Sequence, residues 1–535
     1  MMNLEAVHGF VVMVRARLRA NRISLAAMTV LMAVFCTAAL QTYVVAFPNQ
    51  ATRTMMLAPL TNNGALRALY GYPYDIASPA GWVAWRSMTS VGIIMAMWAA
   101  IITTGALRGE EDAGRGELVL SGGQSRQRWF AAVLTATAVE TLVIMAVTVS
   151  VLAAVGVPQH LLSAANTGEL GLQLALPALL FAAVGALTAQ LAATVRGARL
   201  LAAGILVAAL IVRMPADIGA GIPWLRWLTP LGWFEELRPP AAPPLLTLAA
   251  IAAGTAVPVV ISAYLLRIRD IGRGVFGARD SRPPRRLLLG SAWQAALREE
   301  IPQLSFWFAG TIAYTLLMGG LVKTILDFMQ RTPIFTQFFG RQIAADGFVA
   351  TLFSLVQLVA ALLAVTLVVA ARSEESAGRL EVVLAMPHSR LRWLSGRAVL
   401  AVSVAVGLTL VAAVGMWTGA ALTGEQLRFG SLLAASANSL PLIVTTVGAA
   451  TAVLALAPRA VSFVHALVAT AFLWDSVGTA LEAPGWSLEV SPFHALARMP
   501  LQHFALAPAA MLTMLGLGLF ALALFVFRRR DLALA

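Results

Sequence analysis

The sequence predicts an all-α polytopic membrane protein of about 12 transmembrane helices, arranged as two parallel six-helix repeats with pseudo-two-fold symmetry. Three observations carry this. Hydrophobic residues make up 59% of the 535 positions and charged residues only 12%, against about a quarter in soluble domains. The apolar residues gather in runs close to the ~20 residues that cross a bilayer. A polar motif recurs at a constant offset of 264 residues. So much apolar surface excludes a disordered chain. A lone cysteine, Cys36, excludes an intramolecular disulfide.

Taken in order, residues 1–22 place Val7, Val11, Val14 and Leu18 on one stripe with arginines elsewhere. That is the pattern of an amphipathic helix on the inner leaflet. The first apolar run, 23–46, follows Arg15, Arg17, Arg19 and Arg22 and so starts like a signal peptide. It is too long for one, and eleven runs follow, which makes it a retained span. The others lie at 86–106, 130–156, 170–194, 198–213, 244–266, 304–325, 348–371, 394–419, 431–457, 461–481 and 507–527. The first half therefore covers 23–266 and the second 304–527. Residues 267–303 form a cytosolic linker ending in a second interfacial helix from 287, and 528–535 form a cytosolic tail. Two outer connections, 47–85 and 326–347, carry short helices at Ala68–Gly71 and Gln337–Gly340, as a passive connection or a lid.

The net charge of +13 would suit a nucleic-acid partner. The arginines instead follow the span ends. With the N-terminus in the cytoplasm, 27 of the 38 basic residues fall on cytoplasmic segments. The charge is a topology map, both termini are cytoplasmic, and no nucleic acid is implied.

The repeat is sharpest between the second and third spans of each half. Arg108-Gly-Glu110-Glu111-Asp-Ala-Gly114-Arg115-Gly-Glu117 answers Arg372-Ser-Glu374-Glu375-Ser-Ala-Gly378-Arg379-Leu-Glu381. Ser125-Arg126-Gln-Arg128-Trp129 answers Ser389-Arg390-Leu-Arg392-Trp393, and 13 of 22 positions are identical. Thr229-Pro230 answers Ser491-Pro492, and Arg267-Ile-Arg269-Asp270 answers Arg528-Arg-Arg530-Asp531. Six spans per half give both copies one topology, hence parallel repeats. A topogenic loop needs only positive charge, so the matched glutamates call for a second role. In a helical reading 110, 114 and 117 share a face, as do 374, 378 and 381. These faces form a docking helix for a cytosolic partner, once per half, and two equivalent sites suit a two-fold symmetric partner.

Leu120-Ser-Gly-Gly-Gln124 spells the signature of ABC ATPases. Such an ATPase also needs a P-loop lysine. The only lysine is Lys323, preceded by Val322 at the end of a span, so this chain has no P-loop. The repeat partner, Leu384-Ala-Met-Pro-His388, lacks the signature. The five residues are a glycine-rich turn within the docking loop, and the chain by itself is not an ATP-hydrolysing enzyme.

The Glu-Glu-x-x-Gly-Arg-x-Glu loop, the Ser-Arg-x-Arg-Trp that trails it, Thr229-Pro-Leu-Gly-Trp233 and the Arg-Asp exit resemble ABC exporter permeases. The nearest class is the type-2 transmembrane subunits of the polyketide-antibiotic, tetronasin-like exporters of actinobacteria, over essentially the full length. The second half departs at Ser491-Pro-Phe-His494. The resemblance implies multidrug export from the plasma membrane, with antibiotic resistance as its consequence, by alternating access. It implies a separately encoded ABC ATPase, in two copies, that binds ATP and magnesium and docks on loops 108–128 and 372–392. This chain would bind no cofactor itself. Its other partners would be membrane lipids and a hydrophobic small-molecule substrate.

Polar residues inside spans are functional candidates. They are Glu140, Gln357, His465 and Asp475, with Met95, Trp98, Phe472 and Trp474 as an apolar pathway lining. No cluster has metal-ligand spacing. The rival reading is a 12-helix ion-coupled secondary transporter. It requires matched buried charges in corresponding spans, which the repeat lacks.

Overall fold

A computed structural model describes residues 4–47, 61, 64–218, 221–238, 241–276, 292–331, 341–376, 378–385, 389–480 and 483–531. No strand occurs among them. In lipid every backbone N–H and C=O must be satisfied within the segment, and helices do this. The chain divides into two compact units, residues 1–282 and 283–535.

In the first unit α1 runs unbroken from Leu4 to Ala46, so the interfacial stretch and the first span are one helix. The span α2, Pro79–Asp112, is capped by Ser78, whose Oγ accepts from Gly81 N at 3.0 Å. It contains two wide π-turns, Ala84–Met88 and Gly105–Gly109. A short α3, Arg115–Ser121, precedes α4, Arg126–Gly156, which Ser125 caps. Then come α5 (Ala164–Leu191), α6 (Val195–Ile218), the short α7 (Pro230–Glu235) and α8 (Leu245–Ile268). The most enclosed of these is α5, which packs on α2, α4, α6 and α8. Its sequence is accordingly apolar all round.

The second unit holds α9 (Ala292–Arg331), α10 (Arg341–Ser376), α11 (Arg379–Ala385) and α12 (Arg390–Leu422). It continues with α13 (Phe429–Leu456), α14 (Phe463–Ala480), the short α15 (Pro492–Ala495) and α16 (Leu506–Arg529). The pairings within the first unit, α1 with α4, α2 with α5 and α5 with α8, return as α9 with α12, α10 with α13 and α13 with α16. The α13–α16 contact is backbone to backbone: a Cβ on Gly448 would collide with the Gly516 carbonyl. Small residues allow that approach where lipid supplies no hydrophobic drive.

Eleven helices among the described residues are long and apolar enough to span a bilayer. The expected segment 461–481 is α14, whose apolar part, Phe463–Ser476, falls short of that length. The turn Pro458–Ala460 and the residues before Phe463 take up the rest of the connection. The short helix expected at Gln337–Gly340, residues 277–291 of the linker and Met386–His388 lie outside the described residues. The helix expected at Ala68–Gly71 is present as Gly64–Tyr70.

Candidate functional site

The two glutamate loops are built by inward-pointing charges. In the first unit Arg108 is fully buried at the end of α2. Its Nε donates to the Ala192 carbonyl at 2.9 Å, and its Nη1 pairs with Glu111 Oε2 at 2.8 Å. Arg269, just beyond α8, approaches Glu111 from the other side, with Nη1 on Oε2 at 2.9 Å. The Nε of Arg269 donates to Gln190 Oε1 at 2.6 Å. Arg126, in the first turn of α4, donates to the Arg269 carbonyl at 3.0 Å. One carboxylate thus ties the ends of α2, α5 and α8 together, and Arg126 adds the start of α4.

The second unit repeats the clasp. Arg372 Nη1 lies 3.6 Å from Glu375 Oε2, and Arg530 Nη2 pairs with Glu375 Oε1. Arg530 Nη1 donates to the Leu454 carbonyl at 2.9 Å, and Arg390 Nη1 donates to the Arg530 carbonyl at 2.7 Å. The clasp partner in each half is the arginine of the exit motif. Sequence reasoning used Arg269 and Arg530 as repeat landmarks and missed their pairing. The signal was available, since both motifs occur once per half and carry opposite charge.

This geometry corrects the expected docking face. Residues 110, 114 and 117 do not lie on one helix, because Gly114 adopts φ 72° and separates α2 from α3. Gly378 does the same at φ 71° between α10 and α11. No neighbour would touch a Cβ at either, so the left-handed backbone itself calls for glycine. Glu111 and Glu375 are buried in the clasps. Glu110 bridges Arg17 of α1 at 3.3 Å and Arg115 at 2.7 Å. Glu374 is buried against Arg397 of α12. Arg379 pairs with Glu299 at 3.5 Å. What each loop presents outward is its short helix: Glu117 and Leu118 (73% exposed) on α3, and Glu381 on α11. The Leu120–Gln124 stretch closes α3 in a turn with Gly123 at φ 79° and leads to the Ser125 cap.

The intramembrane candidates separate into several places. Glu140 is fully buried on α4, with Oε2 accepting from Asn21 Nδ2 of α1 at 3.3 Å and Oε1 unpaired. His465 Nε2 lies 3.0 Å from Thr366 Oγ1, and Gln357 is buried on α10. Met95 is core, and Trp98 donates to Ser24 Oγ at 2.8 Å. Phe472 packs edge-on against Phe493. Trp474 lines an apolar cavity of about 330 Å³ between α13, α14 and α15, beside Leu442, Thr446, Ala449, Val468 and Phe493. Asp475 accepts from His494 Nδ1 at 2.8 Å and faces Arg498 at 3.7 Å.

Sequence reasoning missed a buried charge cluster in the first unit, at the end away from the clasp. Arg213 of α6 pairs with Asp217 at 3.1 Å and with Glu235 of α7. Arg226 pairs with Asp217 at 2.7 Å and lies 3.6 Å from Glu236. Tyr74 donates to Glu236 at 3.0 Å; burial, reinforced by the Glu236 charge and that bond, pushes its phenol well above the ordinary range. Among the described residues no group of three or more His, Cys, Asp or Glu side chains could hold a metal ion.

Residues 77–262 and 289–528 match the family model described as "Multidrug efflux system permease Rv1217c, C-terminal domain". The chain is also 27% identical over 527 residues to the multidrug efflux system permease protein Rv1217c of Mycobacterium tuberculosis, covering 97% of this chain and 94% of that relative.

Proposed function

The chain belongs to the multidrug efflux permease family, and from that premise we propose that it is the permease subunit of an ATP-driven exporter of the type-2, tetronasin-like ABC class. A separately encoded ABC ATPase, in two copies, binds ATP and magnesium and docks on α3 and α11. The arginine-rich loop end faces the cytoplasm, as do both termini, in a bacterial plasma membrane. Hydrophobic drug-like or lipid-like substrates leave by alternating access. Moving such an equilibrium from 1:99 to 99:1 takes about 5.5 kcal/mol, supplied by nucleotide binding at the partner.

The observation that carries this reading is the duplicated clasp. Each glutamate loop is locked to its own bundle by a buried carboxylate between two arginines. A push on α3 or α11 is therefore passed to the span ends rather than absorbed by a loose loop. The apolar cavity beside Trp474 supports the substrate class.

The test is reconstitution in proteoliposomes. Transport of a hydrophobic dye is expected only with the cognate ATPase and ATP. Transport by this chain alone on an ion gradient overturns the reading in favour of the secondary transporter. Glu117→Lys with Glu381→Lys should uncouple ATP hydrolysis from transport while the protein stays folded, because both side chains are exposed.

A further inference from the structure

We propose that one face of α1, carrying Arg15, Arg19 and Arg22, binds the head groups of anionic phospholipids in the leaflet at the loop end of the first unit.

The placement follows from helical spacing. Residues 15, 19 and 22 are four and three apart, so they share one face of α1. All three are exposed, and none makes an ion pair or a hydrogen bond among the described residues. No acidic residue lies between Val7 and Arg22. The carboxylates that α1 does meet are reached from its other side: Arg17 pairs with Glu110 at 3.3 Å, and Asn21 donates to Glu140 at 3.3 Å. Met13, also on that side, packs against the cluster that holds Trp129 and Val133 of α4.

The arginine face continues into Ile23, Ala26 and Val30, and Ile23 is 59% and Val30 62% exposed. Charge gives way to exposed hydrocarbon within one turn. That is the order of a phospholipid, head then chain, and a free anion has no use for the second part. A cation at the edge of the apolar layer is costly unless it pairs, and here the protein supplies no partner. From Arg15 to Arg22 the helix rises about 10 Å. Side chains lean toward the helix N-terminus, which carries these guanidinium groups away from the span and toward the head groups. Basic residues clustered there attract an anionic leaflet.

The second unit has no copy of this face. Its first helix, α9, carries Arg298, Glu299 and Glu300 before its span, so both signs of charge stand there. In the first unit α1 also holds the glutamate loop. Glu110, paired with Arg17, bridges to Arg115 at the start of α3 at 2.7 Å. Gly9 lies against Gln124, just past the end of α3, where a Cβ would collide with the side-chain amide. A lipid held on α1 therefore steadies both ends of α3. That this leaflet is cytoplasmic and that α3 meets an ATPase rest on the proposed function; the lipid site does not.

The test uses the purified full chain in detergent micelles, without any ATPase. Pyrene-labelled phosphatidylglycerol is the probe and pyrene-labelled phosphatidylcholine its zwitterionic control, read by energy transfer from tryptophan. Phosphatidylglycerol is expected to bind about tenfold tighter at low salt, and the preference should shrink as sodium chloride is raised. Arg15→Gln, Arg19→Gln and Arg22→Gln combined should cut the preference to about twofold or less. Arg128→Gln, Arg392→Gln and Arg528→Gln combined remove as much charge from exposed positions elsewhere at the loop ends, and should keep most of the preference. If the α1 triple variant fails to fold, Arg19→Gln alone should lower the preference about threefold. Inorganic phosphate at millimolar concentration should not displace the lipid. Equal binding of the two lipids, equal losses in the two triple variants, an unchanged preference in Arg19→Gln, or displacement by phosphate would overturn the proposal.

Discussion

At the loop end the two halves are alike: Arg108, Glu111 and Arg269 make the clasp that Arg372, Glu375 and Arg530 make again. At the opposite end they invert. An offset of 262, fixed by Thr229-Pro230 and Ser491-Pro492, sets Arg213 against Asp475 and Glu236 against Arg498. In the first half a buried arginine gathers carboxylates around a cavity of about 50 Å³. In the second a buried aspartate gathers His494 and Arg498, next to an apolar cavity of about 330 Å³ lined by its neighbour Trp474. The end that repeats is the one that would meet the same partner twice. The end that diverges is free to meet different chemistry in each half.

The largest test of the likeness is the clasp. Glu111→Gln should destabilise the protein by about 3–5 kcal/mol, because Arg108 would be left buried and uncompensated. Glu375→Gln should cost a comparable amount in thermal unfolding of the reconstituted chain. A large effect in one half alone breaks the equivalence. Next comes the inverted end. Asp217→Asn should cost about 1.5–3 kcal/mol, since it weakens the charged contact that two buried arginines share and leaves them Glu235 and Glu236. Asp475→Asn should cost about 1 kcal/mol or less, because His494 and Arg498 reach solvent. Equal costs would remove the contrast.

Smaller still, Gly114→Ala and Gly378→Ala should each cost about 1–2 kcal/mol through the left-handed backbone alone, with no steric term to separate them. The smallest effect is on pH. The raised Glu235 carboxyl binds its proton more tightly folded than unfolded. Its contribution is complete below the ordinary carboxyl range and is lost as pH rises through the raised value. The melting temperature should therefore fall with rising pH across that window in the native chain, and the slope should flatten in Glu235→Gln.

The loops show how sequence can mark a place without giving its shape. The matched Glu-Glu-x-x-Gly-Arg-x-Glu runs located the site, but a helical face was the wrong reading. Gly114 and Gly378 turn the chain, so Glu111 and Glu375 point into the bundle while Glu117 and Glu381 point out. The exit arginines were visible as repeats and invisible as partners, because Glu111 and Arg269 are 158 residues apart. The cluster of Arg213, Asp217, Arg226 and Glu235 carried no motif. Its members come from α6, α7 and the turn between them, and nothing in their spacing announces a common centre.

The sequence by itself determined the helices, the two-part organisation and the marked loops. Those depend on the length of apolar runs, on the lipid's refusal of unpaired backbone, and on local repeats that need no third dimension. The tertiary structure alone decided which charges meet. Burying a charge is tolerable only beside its opposite, and which opposites come within reach depends on how spans far apart in sequence pack their ends together.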